Sequence, residues 1–280
     1  GALELRACGI LALLRRRALR RAAAPLFTMA SGAWSASTAR VVAAAGAAAA
    51  LLVLVRVRRE SHRLGTRAAT PLRAHGPLRN CFIVVRHGQS EANVAGIISS
   101  DPAVGTVKHT LTGRGESQAK RAGTRIAAIC AELGVTPRSV RMFCSDFTRT
   151  RRTAELAAAE LGIQPSEITP RVELRERFFG RFDGTSSDNY ERVWAHDARS
   201  ALHEEFGCES VASVVRRAGA LVIELDRAFP GDCVVVLVCH GDIAQILRAA
   251  VEGDPAPAHH RDGEALQTGS VTRLRPAARR

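Results

Sequence analysis

The segment C-V-V-V-L-V-C at residues 233–239 is apolar from end to end, with no alternation between inward and outward positions. A strand of that kind is buried on both faces, as in a parallel sheet covered by helices on either side. Residues 81–85 and 140–144 are further strand candidates, and residues 270–274 are a last short one. Helical patterns separate them. In residues 111–133, Thr112 can cap a helix whose Ala119, Ala122, Ile126, Ile129 and Leu133 recur at three-to-four spacing. Residues 149–161 and 242–251 read as two more helices. Strands alternating with helices predict one α/β domain, a doubly wound and mostly parallel sheet with helices on both faces. In such sheets ligands bind beyond the carboxyl ends of the strands. His87, Ser145 and His240 each stand just past such an end.

The net charge of +13 at pH 7 would ordinarily direct attention to nucleic acid or a membrane surface. Its distribution removes the first reading. Residues 1–80 carry 14 arginines against Glu4 and Glu60, whereas residues 81–280 are close to neutral. A nucleic-acid role also needs a basic, aromatic-lined face, and only 4% of the chain is aromatic. The basicity belongs to an Ala/Arg-rich leader, residues 1–75, with no acid between Leu5 and Arg59. Within it lies a 15-residue apolar run at 41–55, bracketed by Arg40 and Arg56, short of the ~20 residues of a full span. The leader reads as an organellar transit peptide, as an anchor giving membrane association through 41–55, or as an untargeted segment. Met29 offers an alternative start. Without such targeting the expected location is cytoplasmic. The seven cysteines have no C-x-x-C pair and no regular spacing, which argues against a disulfide framework and a zinc site.

Chemistry concentrates in the body. Arg86, His87 and Gly88 close the first strand candidate, where a rigidly held ring, a guanidinium fork and a small residue suit a phosphate group. His240 and Gly241 repeat the arrangement after the strand at 233–239. Arg149 follows a third strand end in S-D-F-T-R-T-R-R-T-A, with Arg151 and Arg152 as neighbours that composition does not separate from it. Glu176 lies in L-R-E-R-F-F-G, where a carboxyl of raised pKa could protonate a leaving alcohol, and Glu173 and Asp183 are its rivals.

Five segments, in order, resemble the histidine phosphatase superfamily, also called the phosphoglycerate mutase-like family. They are R-H-G-Q-S-E-A-N at 86–93, L-T-G-R-G-E-S-Q-A at 111–119, S-D-F-T-R-T-R-R-T-A at 145–154, L-R-E-R-F-F-G at 174–180 and V-C-H-G at 238–241. The resemblance spans nearly all of a catalytic domain at 80–275. It implies the phosphoglycerate mutase-like fold and His87 as a nucleophile that becomes a phosphohistidine. It also implies an anion pocket of Arg86, Arg149 and His240, with Asn93 and Gly241 as further phosphate contacts. Glu176 would be the proton donor and then the base for water. Two guanidiniums can offset a phosphoryl group's charge, so neither a metal nor a cofactor is expected.

Mutases of the family carry a long insertion between the acid and the second histidine, and a lysine soon after the acid. Here Glu176 and His240 are 64 positions apart and residues 184–197 hold no lysine, which favours hydrolysis. R-E-R-F-F-G resembles the small-sugar bisphosphatase branch, so sugar phosphates or bisphosphates are candidate substrates. Gly241 directly after His240 departs from the phytase pattern. The sequence therefore implies a metal-independent phosphatase acting on a small phosphorylated metabolite. The alternatives are a phosphoglycerate mutase and a non-catalytic, membrane-tethered binding protein.

Overall fold

The apolar runs become strands close to where the sequence implies them. The computed structural model describes Leu72, residues 75–253 and residues 266–275. The leader, its apolar run at 41–55 and Met29 lie outside these residues. The strands are β1 (Cys81–Arg86), β2 (Val140–Cys144), β3 (Ile168–Pro170), β4 (Val234–Cys239) and β5 (Val271–Arg273). They form one sheet in the order β3-β2-β4-β1-β5, parallel except for β5, which pairs antiparallel with β1. Seen along the chain, the helices that position the site are α1 (Glu91–Ala95), α2 (Pro102–Gly105), α3 (Gly113–Glu132), α4 (Thr148–Ala159), α5 (Tyr190–Asp197), α6 (Val211–Ala228) and α7 (Gly241–Glu252).

β4 is buried along its whole length. Its Val235, Leu237 and Cys239 pack with Phe82 and Val84 of β1 against the apolar sides of α6 and α7. Val234, Val236 and Val238 point the other way, with Ile83 and Val85, onto α3 and α4. Each such aliphatic side chain contributes roughly 1.5–3 kcal/mol on full burial. Both faces of the sheet are thus covered, which is the doubly wound arrangement. A smaller cluster of Ile98, Phe179, Phe182, Val193 and Cys208 ties the connection after β1 to the connection before α6. Among the described residues no helix is long and apolar enough to cross a membrane.

The helices α1, α2, α5 and α6 and the strand β3 go beyond the sequence reading. β3 is three residues ending in Pro170, tolerated because it is an edge strand where a missing N–H costs no ladder bond. α6 is an 18-residue helix whose first turns are apolar on several sides. Thr112 caps α3 as expected, its hydroxyl accepting from the Gly115 N–H at 3.1 Å.

The start of α3 touches the loop that carries His87. A Cβ on Gly115 would lie 2.0 Å from the Gln89 carbonyl oxygen, and one on Gly88 would lie 2.2 Å from the Gly115 carbonyl oxygen. The two glycines let backbone meet backbone. Gly88 was expected to make room for a ligand, and its closest constraint is instead this contact with α3. We expect Gly115→Ala to destabilise the fold by roughly 1–3 kcal/mol, read as a lower denaturation midpoint. A midpoint equal to that of the unaltered chain would contradict the close contact.

Candidate active site

Strand register brings the two histidines together. Arg86 of β1 pairs with Cys239 of β4, so the next residues, His87 and His240, leave adjacent parallel strands at the same level. The His87 N–H donates to the Cys239 carbonyl at 3.0 Å, and the two rings lie 5.2 Å apart. β2 supplies the third member. The Ser145 N–H donates to the Val238 carbonyl, and the Ser145 hydroxyl meets His240 Nε2 at 3.0 Å. Three neighbouring carboxyl ends therefore meet at one point, as expected for a sheet of this class.

The tautomer of His87 follows from its partners. Nδ1 stands 2.7 Å from the Gly88 carbonyl oxygen, which can only accept, so Nδ1 carries the proton. The Arg149 Nε–H donates to His87 Nε2 at 3.2 Å, so Nε2 presents its lone pair. The ring is also buried, at 3% exposure. Burial first, then the charges of Arg149 and Arg86, hold its pKa well below the usual 6.5. His240 is fully buried and is held low by burial, Arg149 and His87. Both imidazoles are neutral, and the site's positive charge comes from the guanidiniums.

Arg149 is the inward arginine of its segment. It occupies the first turn of α4, is 3% exposed, and lies over the Phe147 ring at 4.9 Å. Its Nη2 donates to the Ser99 carbonyl at 2.7 Å and its Nη1 to the Ser99 hydroxyl at 3.4 Å. Burial brings its pKa down to about 10, with Glu176 opposing the shift, and it stays charged. Arg151 is exposed, and Arg152 pairs with Glu116 at 2.8 Å. Arg86 donates from Nη1 to the Leu266 carbonyl, while its buried Nε and the buried His240 Nδ1 have no partner among the described residues. Unmet polar atoms in a buried pocket are costly, and an anion would satisfy both. Gly241 opens α7, and a Cβ there would sit 3.2 Å from Arg86 Cζ, so this glycine makes room for the guanidinium.

Of the three candidate acids, Glu173, Glu176 and Asp183, only Glu176 is buried. Its carboxyl accepts from the Arg177 N–H at 2.9 Å and the Ile243 N–H at 3.3 Å. Burial first, and then the negative charge of Asp242, raise its pKa against the pull of Arg149 and Arg86. Its rivals are committed elsewhere. Glu173 pairs with Arg171 at 3.1 Å, and Asp183 accepts from the Ser100 hydroxyl at 2.8 Å and the Asp101 N–H at 2.9 Å. Asn93, expected at the phosphate, is exposed, and its Oδ1 accepts from the Ser90 N–H at 3.0 Å in the capping box of α1. Sequence reasoning gave no role to Ser99, which anchors Arg149, or to Ser145, which orients His240. It also passed over Arg177 and Asp242 beside Glu176. The position of Ser145 at a strand end and of Asp242 after His-Gly were the available signals. Among the described residues no group of three or more His, Cys, Asp or Glu could hold a metal ion.

A family model of the histidine phosphatase superfamily (branch 1) matches residues 82–280. A 2,3-bisphosphoglycerate-dependent phosphoglycerate mutase of Xanthobacter autotrophicus is 34% identical over 118 residues, 41% of this chain and 51% of that protein. The chain thus spans about half the length of that relative. An adenosylcobalamin/alpha-ribazole phosphatase of Salmonella typhimurium is 30% identical over 182 residues, covering 62% of this chain and 80% of the other. A solved mycobacterial glucosyl-3-phosphoglycerate phosphatase in complex with VO3 aligns with a TM-score of 0.56 at 23% identity, over 69% of this chain and 92% of that one. At that identity the likeness is one of fold.

The buried neutral imidazoles have a consequence for stability. Their folded pKa values lie below 6.5, so below that pH the unfolded chain takes up protons that the fold refuses. Stability therefore falls as pH drops through about 6.5. We expect His240→Gln to remove part of that slope when melting temperature is compared at pH 7.5 and 5.5. An unchanged slope would mean that His240 is already protonated in the fold.

Proposed function

The chain belongs to the histidine phosphatase superfamily, and from that premise we propose that it is a metal-independent phosphatase of small phosphomonoesters acting through a phosphohistidine at His87. The observation that carries this reading is the tautomer of His87. Its Nε2 lone pair accepts from the Arg149 Nε–H, and Arg149 and Arg86 together supply two guanidiniums that attract a phosphate. Nε2 attacks phosphorus as the ester P–O bond breaks, and Glu176 gives its proton to the departing oxygen. The imidazolium that forms is tolerable because the bound phosphoryl group brings negative charge. Water then attacks the phosphohistidine, Glu176 takes its proton, and the P–N bond breaks to release inorganic phosphate. Splitting the displacement in this way replaces one hard step with two easier ones. Arg86 and Arg149 supply fixed positive charge in a desolvated site, where such charge is most effective. Small phosphorylated metabolites, sugar phosphates among them, are the proposed substrates.

A second reading is a mutase, favoured by the names of relatives such as the Xanthobacter protein. Against it stand the short interval between Glu176 and His240 and the absence of lysine from residues 184–197. The two differ in product. A phosphatase releases inorganic phosphate from sugar phosphates, phosphoglycerates and an aryl phosphate in the presence of a chelator. A mutase moves the phosphoryl group between carbons without net release. We expect release from the full chain, loss of release in His87→Ala, and 32P trapped on quenched enzyme only when His87 is present. Label persisting in His87→Ala would move the nucleophile elsewhere. Glu176→Gln should slow alkyl phosphates by ~10²–10⁴-fold and an activated aryl phosphate far less. Equal losses would remove Glu176 as the acid.

A further inference from the structure

Beside Glu176 lies a cluster of buried charge that the phosphoryl-transfer scheme does not use. The Arg177 side chain is 0% exposed and forms a fork to Asp197, at 2.6 and 2.8 Å, with a third contact of 3.2 Å to Asp242. Its Nε donates to the Glu209 carbonyl at 2.7 Å. Asp197 also bonds His203, and the Trp194 Nε1–H of α5 donates to Asp242 Oδ1 at 3.1 Å. Burial would lower the pKa of His203, but Asp197 raises it to about 9. At neutral pH the cluster therefore holds two cations and two carboxylates. Buried ion clusters rarely stabilise more than apolar packing would, so its location is informative.

That location is Glu176. The Arg177 and Ile243 N–H groups both donate to Glu176 Oε1, while the side chains of Arg177 and Asp242 bridge the same two segments. Residues 176–177 and 242–243 thus form one clasp. With Oε1 accepting twice, the carboxyl proton belongs on Oε2. The charges facing Glu176 oppose one another. Arg149 and Arg86 favour its ionised form, and Asp242 disfavours it; Tyr190 is neutral, and Arg217 reaches only the Glu176 carbonyl, at 3.4 Å. Around Asp242 stand Arg177, Trp194, Asp197 and Tyr190.

We propose that Asp242 is a positioning residue for proton transfer: anchored by Arg177 and Trp194, its charge counters Arg86 and Arg149 across Glu176 and keeps the proton on that carboxyl. This rests on Glu176 as the proton donor. The guanidiniums that bind phosphate would otherwise strip the acid of its proton, and Asp242 lets one pocket hold both an anion and a protonated carboxyl.

The test is Asp242→Asn, which keeps shape and removes charge. For an alkyl phosphate, kcat/KM falls at high pH as Glu176 ionises, and the variant should move that limb down by about one pH unit. Above the limb this is an approximately tenfold loss. An activated aryl phosphate, which needs no acid, should be unaffected. A limb that stays in place, or equal losses on both substrates, overturns the proposal. Glu176→Gln in the unaltered chain is the control: a limb that survives it overturns the acid role of Glu176, and this proposal with it. The infrared band of the protonated Glu176 carboxyl, assigned by its loss in Glu176→Gln, gives a readout independent of turnover. It should vanish about one pH unit earlier in Asp242→Asn, and an unchanged midpoint counts against the proposal.

Discussion

The Gly88 carbonyl accepting the Nδ1 proton of His87 at 2.7 Å is the contact on which the site depends. It fixes which ring nitrogen carries hydrogen, leaves the other bare beside Arg149, and does so with backbone that the strand end holds rigidly. The carbonyl is itself held in place, because Gly88 and Gly115 meet backbone to backbone. The R-H-G and L-T-G-R-G segments are therefore one structural unit. The first presents His87, the proposed nucleophile, and the second braces the loop that orients it.

Around that contact, desolvation and fixed charge work together. Burial keeps both imidazoles neutral, so His87 holds a lone pair on Nε2 without a base to remove a proton. The same burial strengthens the pull of Arg86 and Arg149 on an anion. Each guanidinium has its own brace: Ser99 and the Phe147 ring hold Arg149, and the space left at Gly241 admits Arg86. Glu176 is tuned in the opposite direction, with burial and Asp242 on one side and the arginines on the other. The proposed nucleophile, kept unprotonated, and the proposed acid, kept protonated, can thus operate at the same pH.

Much of this was legible in the sequence. The unbroken apolar runs at β1 and β4 announce a sheet buried on both faces, and the strand–His–Gly repeat marks His87 and His240. What the sequence does not carry is register. Only the pairing of Arg86 with Cys239 sets the two rings side by side. Burial separates Arg149 from Arg151 and Arg152, and Glu176 from Glu173 and Asp183, and burial is a property of the whole fold. The expected phosphate contact of Asn93 comes from the resemblance alone, and in the fold its Oδ1 accepts from the Ser90 N–H at the start of α1. β3 and α6 escaped for simple reasons: three residues are too few to show a pattern, and an apolar, many-sided helix start masks the 3.6-residue period.

The neutral Nδ1–H form of His87 is the central claim, and ring-nitrogen NMR of histidine-labelled protein tests it without reference to any substrate. At neutral pH, His87, assigned by its absence in His87→Ala, should show a protonated Nδ1 and a bare Nε2. Lowering the pH through the range where free imidazole titrates should leave that pattern intact. Protons on both nitrogens at neutral pH, or a proton on Nε2 with Nδ1 bare, would contradict it.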